Sequence, residues 1–162
     1  KYASNAFLAT KISSVNAIAN LCEAVDADVR DVALGMGYDQ RIGFEFLYPG
    51  PGYGGSCFPK DTAALLYAAE QSGYDFSLLK GVVRVNKEQH ERMVTKLTAL
   101  VGGTLQGKTI GVWGLTFKAN TDDLRDSPAL VIVRRLLEEG ATVRAYDPAA
   151  GERAAEIGRA HV

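Results

Sequence analysis

The chain has little of the chemistry that marks secreted, metal-bound or nucleic-acid-binding proteins. Its two cysteines, Cys22 and Cys57, are too few for a disulfide framework among 162 residues and fit a reducing compartment. The two histidines, His90 and His161, lack cysteine or carboxylate partners at metal-ligand spacing, so no metal is expected. Eighteen basic residues against nineteen acidic ones leave a formal charge of −1, which offers no polybasic face to nucleic acid or to an anionic membrane. No apolar run approaches the roughly 18 residues of a spanning helix, and no charged leader with a cleavage site opens the chain. A cytoplasmic location is the expectation.

What is present is ordinary globular composition, 47% hydrophobic and 23% charged, enough to bury a core in one domain or slightly more. From about Tyr2 to Ala24, Leu8, Ile12, Val15, Ala19 and Cys22 recur at steps of four and three, which spells a helix. Phe7, Ile18, Leu21 and Val25 widen its apolar arc, so it is expected to be buried on more than one side, in a bundle or against a partner subunit. Asp28 to Met36 reads as a shorter helix, and Leu78 to Val101 as a second long one, with Asn86 among the residues of its apolar side. Gly102, Gly103 and Gly107 mark a linker. After it, Thr109 to Leu115 reads as a strand, Ser127 to Glu139 as a helix capped by Ser127, and Thr142 to Asp147 as a parallel strand. The fold class expected is a mainly α central domain over residues 1–103, followed by the start of an α/β, Rossmann-like domain over 104–162.

The chain is organised around Pro49-Gly-Pro-Gly-Tyr-Gly-Gly-Ser-Cys57-Phe-Pro-Lys-Asp61. Proline is tolerated in a first helical turn, where N–H groups lack partners anyway, so Pro59 is expected to open a helix running towards Gly73. Cys57 then sits ahead of the helix, where the positive dipole end and the neighbouring Lys60 favour a negatively charged sulfur. Local sequence leaves two readings open: a nucleophile, or a cysteine packed as a small hydrophobe. Gly50, Gly52 and Gly55 satisfy G-x-G-x-x-G, but no β-branched run precedes them and Pro51 interrupts, so this is not a dinucleotide fingerprint. Close backbone approach to a substrate is the expected work of these glycines.

Gly52-Tyr-Gly-Gly-Ser-Cys-Phe-Pro-Lys-Asp61 resembles the active-site segment of the UDP-glucose 6-dehydrogenase family. Lys1-Tyr-Ala-Ser-Asn5, Asp39-Gln-Arg41-Ile-Gly43 and Gly114-Leu-Thr-Phe-Lys118-Ala-Asn-Thr-Asp-Asp-Leu-Arg125 resemble that family's segments too, in the family's order. The resemblance implies an NAD-dependent oxidation of UDP-glucose to UDP-glucuronate, with an N-terminal NAD-binding domain lying outside these residues and a homodimer built through the central helices. It implies Cys57 as nucleophile, Asp61 as the group that assists water or orients its neighbours, and Lys1 and Asn5 as stabilisers of the sugar and the oxyanion. It also implies Arg41, Phe46, Gly50, Gly54, Phe117 and Lys118 as substrate contacts, and Lys60 and Arg125 as contacts to the cofactor.

Each of these residues also has a plain structural reading. Lys1 and Asn5, one turn apart, suit a solvated surface as well as a shared ligand. Arg41 has the donor fork that phosphate needs, yet lone loop arginines are usually solvated. Asp61 suits the positive end of a helix whatever else it does. Lys118 and Arg125 are matched by Asp122, Asp123 and Asp126 in a loop that would equally serve as a charged surface. Asp147 ends a strand where a ribose-binding acid would stand, but Gly111-Val-Trp-Gly114 lacks the full glycine pattern, which argues against NAD there. Two rival functions remain: a sister dehydrogenase acting on GDP-mannose or an N-acetylated UDP-sugar, and a non-catalytic dimerisation or nucleotide-sugar-binding module.

Overall fold

The computed structural model describes residues 1–151, 153 and 154; His161 lies outside them. The chain divides into two compact units, one made of Lys1–Tyr53 and Cys57–Lys87, the other of Gly54–Ser56 and everything from Glu88 onward. The glycine pair at 102 and 103 falls inside the second unit.

The first unit holds helices α1 (Tyr2–Ala24), α2 (Val29–Gly37) and α3 (Phe58–Gln71), together with the first part of α4 (Ser77–Leu100). Val15, Ala19 and Cys22 of the expected stripe are buried on α1, and so is a second row, Ala6, Ala9, Ser13 and Asn16, made of small or polar residues. α1 packs on α3, Ala6 and Ala9 share a core with Tyr53, Leu79 and Val82, and the Ser13 hydroxyl donates to the Val82 carbonyl. Of the apolar residues that widen the arc, Ile18 is half-buried and the other three are exposed: Phe7 is 67% accessible, Leu21 62% and Val25 64%. α2 is capped by the Asp28 carboxylate, which accepts from the Arg30 N–H.

The second unit pairs strand β1 (Thr109–Trp113) with β2 (Thr142–Tyr146) in parallel, Thr109 opposite Thr142 and Trp113 opposite Tyr146, with helix α5 (Pro128–Glu138) between them in sequence. Leu115, Val133, Leu136 and Val143 anchor its core. The class is the expected one, a helical domain followed by the beginning of a Rossmann-like sheet. Both strands stop short of their expected ends. Gly114, at φ +91, donates to the Tyr146 carbonyl and turns the chain away, after which Leu115 N–H is taken by the Asp147 side chain. Ser127 does not cap α5 with its side chain: its hydroxyl donates to the Leu115 carbonyl at 2.7 Å, tying the start of α5 to the end of β1.

Candidate functional site

Asp61 is the most deeply placed of the expected residues. It lies in the first turn of α3, with no accessible surface, and its backbone N–H donates to the Cys57 carbonyl at 2.8 Å. Asn5 of α1 donates from Nδ2 to Asp61 Oδ2 at 2.6 Å, and Lys1 Nζ stands 3.5 Å from the same oxygen. Lys1, Asn5 and Asp61 are thus one cluster, as a charge-assisted hydrogen bond to a buried carboxylate requires. Asp61 Oδ1 has no hydrogen-bond partner among the described residues. A buried carboxylate oxygen left open in this way has capacity to accept from a hydroxyl or a water.

Cys57 is the N-cap residue of α3, exposed and outside any disulfide, with Pro59 at the second helical position rather than the first. Lys60 is exposed beside it. The segment that leads towards it is held by two buried asparagines absent from the expected site. Asn16 Oδ1 accepts from Gly50 N–H at 2.8 Å, while Asn86 accepts from Tyr53 N–H at 2.7 Å and donates to the Tyr53 carbonyl at 3.1 Å. The signal for them was faint: an amide standing on an apolar helix stripe. The Tyr53 ring packs edge-on to Phe58, and burial raises its hydroxyl above the usual tyrosine range against an opposing hydrogen bond with Thr62.

Arg41 does not reach into this cluster. Its Nη2 lies 2.6 Å from Asp39 Oδ2 and its N–H donates to Asp39 Oδ1, so the guanidinium is raised and the Asp39 carboxyl lowered by each other. Lys11 Nζ donates to the Ile42 carbonyl and fixes the same turn to α1. Phe46 has φ +66, a left-handed conformation costly for a bulky side chain, and its ring lies 6.2 Å from that of Phe58.

Gly54, Phe117, Lys118 and Arg125 belong to the second unit. A Cβ on Gly54 would stand 2.0 Å from the Asp126 carbonyl oxygen and 2.7 Å from Pro128 Cδ. A Cβ on Gly55, at φ +82, would stand 2.7 Å from the Phe117 ring, and the Gly55 N–H donates to the Arg125 carbonyl at 3.0 Å. At these two positions the need for glycine comes from the protein's own packing, whereas a Cβ on Gly50 would meet nothing within 4 Å. Lys118 Nζ sits 5.3 Å over the Phe117 ring, a cation–π contact. Arg125 is paired with Asp123 at 2.7 Å, and the guanidinium holds the Asp123 carboxyl down to about 2. Asp147 is not available to a ribose: Oδ2 accepts from Leu115 and Thr116 N–H, and Oδ1 from Ala149 and Ala150 N–H. Among the described residues no three metal-binding side chains come together, and no helix is long and apolar enough to cross a membrane.

Residues 1–88 match the model of the UDP-glucose/GDP-mannose dehydrogenase family, central domain, and residues 111–161 that of the same family's UDP binding domain. The chain belongs to the UDP-glucose/GDP-mannose dehydrogenase family. Within this family it is 55% identical, over 97% of its length, to the UDP-glucose 6-dehydrogenase YwqF of Bacillus subtilis, covering 36% of that protein. It is 53% identical over 93% of its length to a UDP-glucose 6-dehydrogenase of Pseudomonas aeruginosa, of which it covers 33%. The solved UDP-glucose dehydrogenase of Pyrobaculum islandicum superposes with a TM-score of 0.94 at 43% identity, over 97% of this chain and 36% of that one. A UDP-D-ManNAc dehydrogenase of Pyrococcus horikoshii gives 0.80 at 29% identity, over 93% of this chain and 35% of that one. The chain therefore spans about a third of the length of these family members.

Proposed function

We propose that the chain supplies the catalytic cysteine and part of the substrate site of an NAD-dependent UDP-glucose 6-dehydrogenase, a cytoplasmic homodimer that makes UDP-glucuronate. The observation that carries this reading is the cluster of Lys1, Asn5 and the buried Asp61 in the first turn of the helix that Cys57 caps. UDP-glucose is preferred to GDP-mannose or an N-acetylated UDP-sugar because identity is 55% to a UDP-glucose enzyme and 29% to a UDP-D-ManNAc enzyme. The exposed apolar residues of α1, Phe7, Leu21 and Val25, support a second subunit against that helix.

The described residues form no dinucleotide cradle. The described sheet carries no complete glycine turn, and the one strand-end acid, Asp147, is consumed by four backbone N–H groups. NAD is expected on a domain outside these residues, with the exposed cations Lys60 and Arg125 as this chain's contacts. When bound it supplies the two hydride acceptors that take an alcohol to an acid.

What this chain contributes is the covalent stage. At the aldehyde level, Cys57 Sγ adds to the carbonyl carbon, and the carbonyl oxygen becomes an oxyanion, for which the Lys1 ammonium and the Asn5 amide are the proposed stabilisers. At the acid level the carbon is a thioester, and a water whose proton is accepted at Asp61 breaks the C–S bond and restores the thiol. Arg41, Phe46, Gly50, Gly54, Phe117 and Lys118 are the proposed contacts to the nucleotide-sugar. The test is a panel of nucleotide-sugars assayed for NADH formation by the full-length protein. UDP-glucose should give the highest kcat/KM; no NADH from any member of the panel would leave the non-catalytic binding module as the better reading.

A further inference from the structure

We propose that Asn16 and Asn86 are positioning residues that clamp the Gly50–Tyr53 segment against α1 and α4, and so set the affinity of the site for its nucleotide-sugar. The proposal rests on the reading above, in which substrate lies along Gly50. Both amides are buried, Asn16 with no accessible surface and Asn86 at 7%. Each stands where an apolar residue would serve the core better, since a buried amide is unfavourable unless its hydrogen bonds are made. The bonds they make go to the same short stretch of backbone, Asn16 to its first residue and Asn86 to its last. That stretch has no helix or strand of its own and includes Gly52 at φ +116, so regular secondary structure does not hold it.

The two grips differ. Asn86 uses both ends of its amide on Tyr53, acceptor to N–H and donor to carbonyl, as a strand partner would. Asn16 uses only Oδ1, and its Nδ2 has no partner among the described residues. An aspartate would therefore reproduce the Asn16 contact, whereas at position 86 it would set a carboxylate oxygen against the Tyr53 carbonyl. Cys57 is held independently, by the hydrogen bond that its carbonyl accepts from Asp61 N–H in the first turn of α3. Loosening the clamp should thus act on substrate binding more than on turnover.

The experiment compares Asn86→Leu, Asn86→Asp, Asn16→Leu and Asn16→Asp in the full-length protein, by amide hydrogen exchange of the peptide spanning the segment and by steady-state kinetics with UDP-glucose. We expect Asn86→Leu and Asn86→Asp to speed exchange at Gly50–Tyr53 by about tenfold or more, with α1 and α3 unchanged, and to raise KM about tenfold while kcat moves by less than about threefold. Asn16→Asp should keep the exchange protection that Asn16→Leu loses. Unchanged exchange at the segment, acceleration spread equally over α1 and α3, or an Asn16→Asp variant as exposed as Asn16→Leu would overturn the clamp. If Asn86→Leu fails to fold, Asn86→Asp decides by the same readout. Absence of dehydrogenase activity in the unmodified protein would instead count against the functional reading, and the exchange data would still decide the clamp.

Discussion

Replacing Asp147 by alanine should unravel the loop that joins β1 to α5. The carboxylate accepts four backbone N–H bonds, at 2.7 Å from Leu115, 3.3 Å from Thr116, 2.9 Å from Ala149 and 2.8 Å from Ala150. Ala149 is exposed and Thr116 half-buried, so water can replace the lost acceptor there; Leu115 and Ala150 are 1% and 2% accessible and their N–H groups would be stranded. At about 1–3 kcal/mol for each buried unsatisfied donor, Asp147→Ala should cost about 4 kcal/mol. A domain is stable by only about 5–15 kcal/mol, so the second unit would lose a large part of its stability. Asp147→Asn is not a harmless isostere, because both oxygens are acceptors and whichever way the amide turns, its NH₂ faces a pair of donors; about 2 kcal/mol is expected. Burial pushes the Asp147 carboxyl up, but the four hydrogen bonds outweigh it and leave it below 3.8. A carboxyl depressed in the folded state contributes stability in full above its unfolded value of 3.8 and loses it as pH falls through the folded value. Urea denaturation followed by circular dichroism, at pH 7 and through the acid range, measures both effects. An alanine variant within about 1 kcal/mol of the parent, with an unchanged acid limb, would refute the reasoning.

Cys57→Ser keeps the shape and replaces sulfur by a far poorer nucleophile; turnover should fall by more than about 10³, roughly 4 kcal/mol, with UDP-glucose affinity within a few-fold by calorimetry. Near-normal turnover would make Cys57 a packing residue. Gly54→Ala should destabilise the protein by about 2 kcal/mol or more, since its Cβ would meet the Asp126 backbone, while Gly50→Ala, with open space around it, should stay within about 0.5 kcal/mol; equal thermal shifts for the pair would contradict this. Burial lowers His90 below 6.5 against the raising effect of Glu91, so the unfolded chain takes up the proton first and stability should decline as pH falls below 6.5. His90→Gln should flatten that part of the profile, and a slope that survives the substitution would point to another group.

The helices were legible because their apolar residues recur with the helical period, and the β–α–β order because a glycine linker and β-branched runs follow the last of them. The row Ala6, Ala9, Ser13 and Asn16 was not, because small and polar residues carry no hydrophobic signal even when fully enclosed. Phe7, Leu21 and Val25 read as residues to be covered, by a bundle or by a partner subunit, and among the described residues they stand exposed. Lys1, Asn5 and Asp61 could be gathered only through the family likeness, since the contact joins positions 56 residues apart. The glycines were recognised, but their cause was not. Gly54 and Gly55 answer to Asp126, Pro128 and Phe117, whose proximity no local pattern announces.

That last pairing bears on how such proteins can be recombined. Gly54–Ser56 belongs structurally to the second unit although the first unit's sequence surrounds it. A chimera that joins residues 1–88 of one relative to the remainder of another would therefore inherit Gly54 from one parent and the Asp126 carbonyl that fills its missing side chain from the other. Successful exchanges between members of the family should carry this tripeptide together with the β1–α5 loop, so that the two segments travel as a single heritable block although α3, α4 and β1 lie between them.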